Sequence, residues 1–109
     1  MSTVYAAKTV EGSTEQMIFK LLADGSPVNL TGKAVSLILG GCDGTSVTTT
    51  GDVTVTDATT GKVGYTPDPL DFLSVLSPYR ARFKVVGGDV VYYHPNTEQP
   101  ALIYVAPIV

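Results

Sequence analysis

The chain holds one cysteine, one histidine and no tryptophan in 109 residues, and each scarcity closes off a class of function. A lone Cys42 allows no intrachain disulfide, so the fold must rest on its apolar core. No histidine or other base lies near Cys42 in sequence, and it reads as an inert loop thiol of a kind that fits assembly in a reducing cytoplasm. A metal site requires three or four ligands, and only Cys42 is available to join His94, which therefore reads as a partly buried structural imidazole. There is no nucleophile-elbow sequence around any serine. No catalytic residue, metal or cofactor is expected, and the chain reads as a non-enzyme.

Charge is also sparse. Charged residues make up 16% of the chain and the net charge is -3, which argues against a binder of nucleic acid or of an anionic membrane. No apolar run approaches the roughly 20 residues that span a bilayer. The first residues, Met1 to Tyr5, have no basic segment followed by an apolar one, so no signal peptide is expected. That expectation also disfavours use of the glycosylation-like triplet Asn29-Leu30-Thr31, a pattern common by chance.

What the chain does have is apolar content, 44% of its residues. A chain of this length reads as one domain, residues 1–109, able to bury roughly two-thirds of its unfolded surface. Within residues 1–12, the segment Thr3 to Lys8 reads either as a first strand or as part of a flexible arm. The organising stretch is Ser77 to Val86. Tyr79, Ala81, Phe83 and Val85 alternate with Arg80, Arg82 and Lys84, which gives one buried and one wet face of a strand in an antiparallel sheet. Similar alternation marks Met17, Phe19 and Leu21, then Val35, Leu37 and Leu39, then Val63 and Tyr65. Turn signals separate these runs: Ala23-Asp24-Gly25-Ser26-Pro27, Gly40 to Gly44, Asp57 to Gly61, Gly87-Gly88-Asp89 and the polar loop Pro95 to Pro100. Pro67 and Pro69 end a strand. Asp68 as N-cap, with leucines at 70, 73 and 76, predicts a short helical turn near residues 69–75. The sum is an all-β, immunoglobulin-like antiparallel sandwich of about seven to eight strands. Its core is expected to rest on Phe19, Val35, Leu37, Tyr65 and Phe83. Tyr79 stands where a sandwich places a tyrosine with its ring in the core and its hydroxyl bonded to a nearby loop.

Several of these stretches occur together in a known order: Leu-Ala-Asp-Gly-Ser-Pro-Val-Asn-Leu-Thr-Gly (22–32), Val-Ser-Leu-Ile-Leu (35–39), Asp-Ala-Thr-Thr-Gly-Lys-Val-Gly-Tyr-Thr (57–66), Tyr-Arg-Ala-Arg-Phe-Lys-Val (79–85), Tyr-His-Pro-Asn (93–96) and Ile-Tyr-Val (103–105). The order resembles the immunoglobulin-like domain of tailed-phage structural proteins, a family that includes the N-terminal domain of phage baseplate upper proteins. The chain departs from the family pattern at Pro78, where a glycine is usual, and at His94, where an aromatic precedes the late proline. The resemblance implies a non-enzymatic structural protein of a tailed bacteriophage or prophage. It would be made in the bacterial host cytoplasm and built into the tail, the baseplate or the head surface of the virion. The implied partners are other virion proteins and copies of itself, with no nucleic acid and no membrane. The alternative is a carbohydrate- or receptor-binding adhesion module contacting a host-surface glycan. The candidate interface residues are Arg80, Arg82 and Lys84, on one strand face, with Tyr92, Tyr93 and Tyr104 on the last two strands. The competing view of the cations is a solvated sheet face paired across strands with acids such as Asp89, and of the tyrosines, core packing.

Overall fold

The structure, a computed structural model, describes residues 6–23, 25–95 and 100–109. Thr3 to Tyr5 of the expected first strand, Asp24 of the expected turn and residues 96–99 of the expected polar loop lie outside the described residues. The strands are β1 (Ala6–Val10), β2 (Met17–Lys20), β3 (Leu22–Ala23), β4 (Ser26–Pro27), β5 (Ala34–Gly40), β6 (Ser46–Val47), β7 (Asp52–Asp57), β8 (Lys62–Thr66), β9 (Tyr79–Gly87), β10 (Val90–His94) and β11 (Ala101–Ala106). Three of them (β3, β4 and β6) are two-residue pairs, so the longer strands match the expected number. Among the described residues the one helical element is the 3-10 turn Ser74–Leu76.

One sheet runs β1-β11-β9-β5-β6, with β10 also pairing β9, and the facing sheet runs β2-β8-β7. The two sheets face each other as a β-sandwich, with β2, β8 and β7 in one layer and β5, β9 and β11 at the centre of the other. Strand β9 is the centre, as its sequence pattern predicts. It pairs β5 along seven residues, from Ala34↔Val86 to Gly40↔Arg80. Its other edge is shared by β10, through Gly87 to Phe83, and β11, through Ala81 to Tyr79. Strand β1 runs parallel to β11 with Lys8 in register with Tyr104, so of the two readings of the N-terminal segment the strand forms over Ala6–Val10. Gly25 (φ 81°) and Gly61 (φ 72°) supply the left-handed corners that their turns require.

The alternation in β9 becomes burial. Tyr79, Ala81, Phe83 and Val85 are all buried and pack with Phe19, Leu37, Leu39, Val63, Tyr65 and Ile103. Phe19 of one sheet meets Phe83 of the other with ring centroids 5.1 Å apart. Burying each such large apolar side chain contributes about 1.5–3 kcal/mol.

The connection 67–78 closes one end differently from the expectation. Asp68 does start a turn: Leu70 N–H donates to its Oδ1 (3.2 Å) and Asp71 N–H to its carbonyl (3.0 Å). The chain does not continue into an α-helix, and Leu70 stays 79% exposed. Phe72 is the residue that enters the core. It makes edge-to-face contacts with Tyr65 (6.1 Å) and Tyr79 (5.1 Å). The spacing of leucines by threes was not a helical face, because the segment's position is set by Phe72 and by the carboxylate of Asp71.

Candidate functional site

The outward face of the larger sheet brings most of the candidate residues together. Side chains in register across a sheet share a face. Lys84 lies between Tyr93 of β10 and Ser36 of β5, Arg82 lies beside Ile38, and Arg80 lies between Leu102 and Gly40. Val91, Val86 and Ala34 form a further row, and Lys8 flanks Tyr104 on the β1 side. The face thus carries Lys8, Arg80, Arg82 and Lys84, four of the seven basic residues of the chain. No acidic residue occupies an outward position on any of its described strands. Asp89, offered above as a cross-strand partner, sits instead in the turn between β9 and β10. Tyr93 (44% exposed) and Tyr104 (42%) stand on this surface, so they are not core residues. Arg82 is held in place: its Nη1 donates to the Pro95 carbonyl. An open depression of about 270 Å³ lies at one end, bordered by Ile38, Gly44, Ser46, Arg80, Arg82 and Pro100.

Tyr92 does not join the face. It is in register with buried Val85, so it points to the other side of the sheet. There Lys33 Nζ stands 5.6 Å above its ring and the imidazole of His94 stacks on it at 6.5 Å. Sequence reasoning missed Lys8, Ile38 and Val91 as members of the surface. Ile38 was readable from the outward phase of Val35-Ser36-Leu37-Ile38-Leu39, whereas Lys8 required knowledge of the β1–β11 pairing.

The described residues offer little to chemistry. They contain no group of three histidine, cysteine or acidic side chains placed to hold a metal. Cys42 is exposed in the loop after β5. His94 is buried, and its Nδ1 has no hydrogen-bond partner among the described residues. Burial, aided by the charge of Lys33, lowers its basicity, with a hydrogen bond to the Leu22 backbone acting the other way. None of the described helical residues forms a helix long and apolar enough to cross a membrane.

The most polar buried group is Asp71, 3% exposed, and its role is to tie the connection 67–78 to the sandwich. Oδ1 accepts from Thr50 N (2.9 Å) and Thr50 Oγ1 (2.8 Å). Oδ2 accepts from Gly51 N (3.0 Å), Asp68 N (2.9 Å) and the Tyr65 hydroxyl. Burial alone would raise the carboxyl pKa, but the hydrogen bonds from Tyr65, Thr50 and Asp68 outweigh it and hold the value below the usual range. Burial and the neighbouring carboxylate push the Tyr65 hydroxyl well above its ordinary pKa. With five donors on two oxygens, Asp71 has no lone pair left for a substrate. The same connection is fixed by Glu11, which accepts from Ser74 N (2.9 Å), and by Tyr79, whose hydroxyl accepts from Leu73 N (2.7 Å). The Tyr79 contact is the one its sequence position implies.

The described residues thus form a β-sandwich whose larger sheet carries basic and aromatic side chains on its outward face. The family model of the BppU N-terminal domain, the N-terminal domain of baseplate upper protein, matches residues 2–93. The chain belongs to this family, which places it among bacteriophage structural proteins. The match runs from the N-terminal strand to Tyr93 and leaves β11 beyond it. No curated protein and no solved structure matches the chain.

Proposed function

We propose that the chain is a non-enzymatic assembly component of a tailed bacteriophage or prophage, working by surface complementarity within the tail, the baseplate or the head surface. The observation that carries this reading is the family match over residues 2–93. Physical support comes from the sandwich itself. Its buried carboxylate, Asp71, is spent on tying the fold, and its exposed features include a broad sheet face and strand edges. Strands β1 and β6 end one sheet and β2 and β7 the other, and an edge offers unpaired backbone groups to a neighbouring virion protein or to another copy of the chain. The exposed thiol of Cys42 suits synthesis in the reducing host cytoplasm before particle assembly.

Deletion of the gene, with electron microscopy of the resulting particles, tests this role. The expected result is particles lacking part of the tail, baseplate or head-surface structure, restored by the chain supplied from a plasmid. Intact and infectious particles without the chain would overturn it. A glycan-binding module is the second reading, favoured by the exposure of Tyr93 and Tyr104. It predicts binding on a broad glycan panel that is lost in Tyr93→Ala.

A further inference from the structure

The charge of this protein is unevenly spread. A chain with an acidic excess places four cations, and no acid on its described strands, on the outward face of one sheet. The opposite sheet is mixed instead, with Lys62 in register with Lys20 and Asp57, and Asp52 at the far end of the same strand pair. We infer that the face bearing Lys8, Arg80, Arg82, Lys84, Tyr93 and Tyr104 is the surface by which the chain docks onto an acidic surface of a different protein. This inference deepens the assembly role proposed above and rests on it.

Three observations select this occupant. The composition is that of a protein interface. Ile38, Val91, Tyr93 and Tyr104 are 42–46% exposed, and they stand among arginines and lysines, while aromatic and arginine residues are the side chains enriched in interfaces. The size fits as well. Five strand positions at about 4.8 Å and a central strand of about 30 Å give a face on the order of 600 Å², close to the roughly 800 Å² that each partner contributes to a specific complex.

The third observation is charge complementarity. A two-fold, face-to-face contact between copies would set its four cations against the same four, whereas a different protein with surface carboxylates would pair them. Nucleic acid is the weaker candidate. The whole chain carries -3 and repels a polyanion at distance, and the apolar side chains between the cations have no role against a phosphate backbone. The hydrogen bond from Arg82 to the Pro95 carbonyl fixes one guanidinium before binding, which reduces the ordering cost of docking.

The test uses purified particles. A carbodiimide that couples amines to carboxylates without a spacer is applied, and cross-linked peptides are identified by mass spectrometry. The expected result is links from Lys8 and Lys84 to Asp or Glu of another virion protein. Alongside, the double variant Arg80→Glu/Lys84→Glu should enter particles at least tenfold less than wild type. The control Lys20→Glu/Lys62→Glu should enter normally, with circular dichroism confirming that both variants fold. If wild-type chain is in the particles but the face variant enters equally, or the links arise only from Lys20 and Lys62, the docking face is wrong while the assembly role stands. If the chain is absent from particles, the assembly role fails and takes this inference with it. Binding of a 20-base-pair DNA duplex at physiological salt, lost in the face variant, would overturn the choice of an acidic protein.

Discussion

Replacing Asp71 by alanine removes the acceptor for three backbone N–H groups, those of Thr50, Gly51 and Asp68, and for the Tyr65 and Thr50 hydroxyls. An unsatisfied buried donor costs about 1–3 kcal/mol, and water entering the vacated space recovers part of it. The Thr50 hydroxyl can turn to another acceptor and Gly51 N–H keeps the Tyr65 hydroxyl oxygen at 3.2 Å, but Thr50 N–H and Asp68 N–H have no such alternative. The expected loss is therefore about 3–5 kcal/mol, which for a chain of this size lowers Tm by about 15 °C. Asp71→Asn keeps the shape but turns one acceptor into a donor. Its amide oxygen will take the Oδ2 position, where three donors converge, and its NH₂ will face Thr50 N–H, for a loss of about 2–3 kcal/mol. Urea unfolding of wild type, both variants and the control Asp52→Ala measures these differences. The control, on an exposed edge position, should change stability by no more than about 0.5 kcal/mol. The same carboxylate sets an acid limit. Its folded pKa lies below the ordinary value, so the folded state holds fewer protons and its stabilisation is complete above about pH 4. That stabilisation is lost as pH falls through the lowered folded value, and Asp71→Asn should abolish this part of the acid dependence. An Asp71→Ala protein within about 1 kcal/mol of wild type would refute the reasoning.

Three further outcomes follow from the same contacts. Tyr79→Phe leaves Leu73 N–H without its acceptor and should cost about 1–2 kcal/mol in urea unfolding, with the core otherwise unchanged; an unchanged midpoint would show that the hydroxyl is dispensable. Gly61→Ala puts a Cβ at a φ of +72° and 2.7 Å from the Leu21 carbonyl oxygen, so it should destabilise by at least about 2 kcal/mol, whereas wild-type stability would contradict the tight corner. His94 has a lowered folded pKa, so its contribution is complete above about pH 6.5 and declines as pH drops through the folded value. Urea midpoints at pH 7 and pH 5 should therefore differ less in His94→Phe than in wild type, and an equal difference in both would refute the assignment.

The parts of the fold that were legible in the sequence are those fixed by local pattern. In β9 the alternation from Tyr79 to Val85 gave both the strand and its buried side, and the cations between them gave the outward face. Gly25 and Gly61 marked corners because few other residues accept their backbone angles. The hidden parts depend on long-range contacts. Asp71 had no local signal, since its partners at Thr50 and Gly51 lie about twenty residues away in the chain. Phe72 was overshadowed by the regular leucines around it. The side of the sheet that Tyr92 takes was hidden for a related reason. Val90, Val91, Tyr92 and Tyr93 are all large and apolar or aromatic, so β10 has no alternation of its own, and its phase is set by the two-residue turn that aligns Val90 with Gly87. The candidate surface was therefore half legible: its β9 stripe could be read directly, while Lys8, Tyr93 and Tyr104 were assembled by strand pairing.

Quantitative mass spectrometry of purified particles tests the central claim most directly. The claim predicts that the chain is present in a fixed whole number of copies per particle, matched to the symmetry of the structure that it joins, and that it stays bound through purification. Particles that contain every other structural protein and only traces of this chain would contradict it.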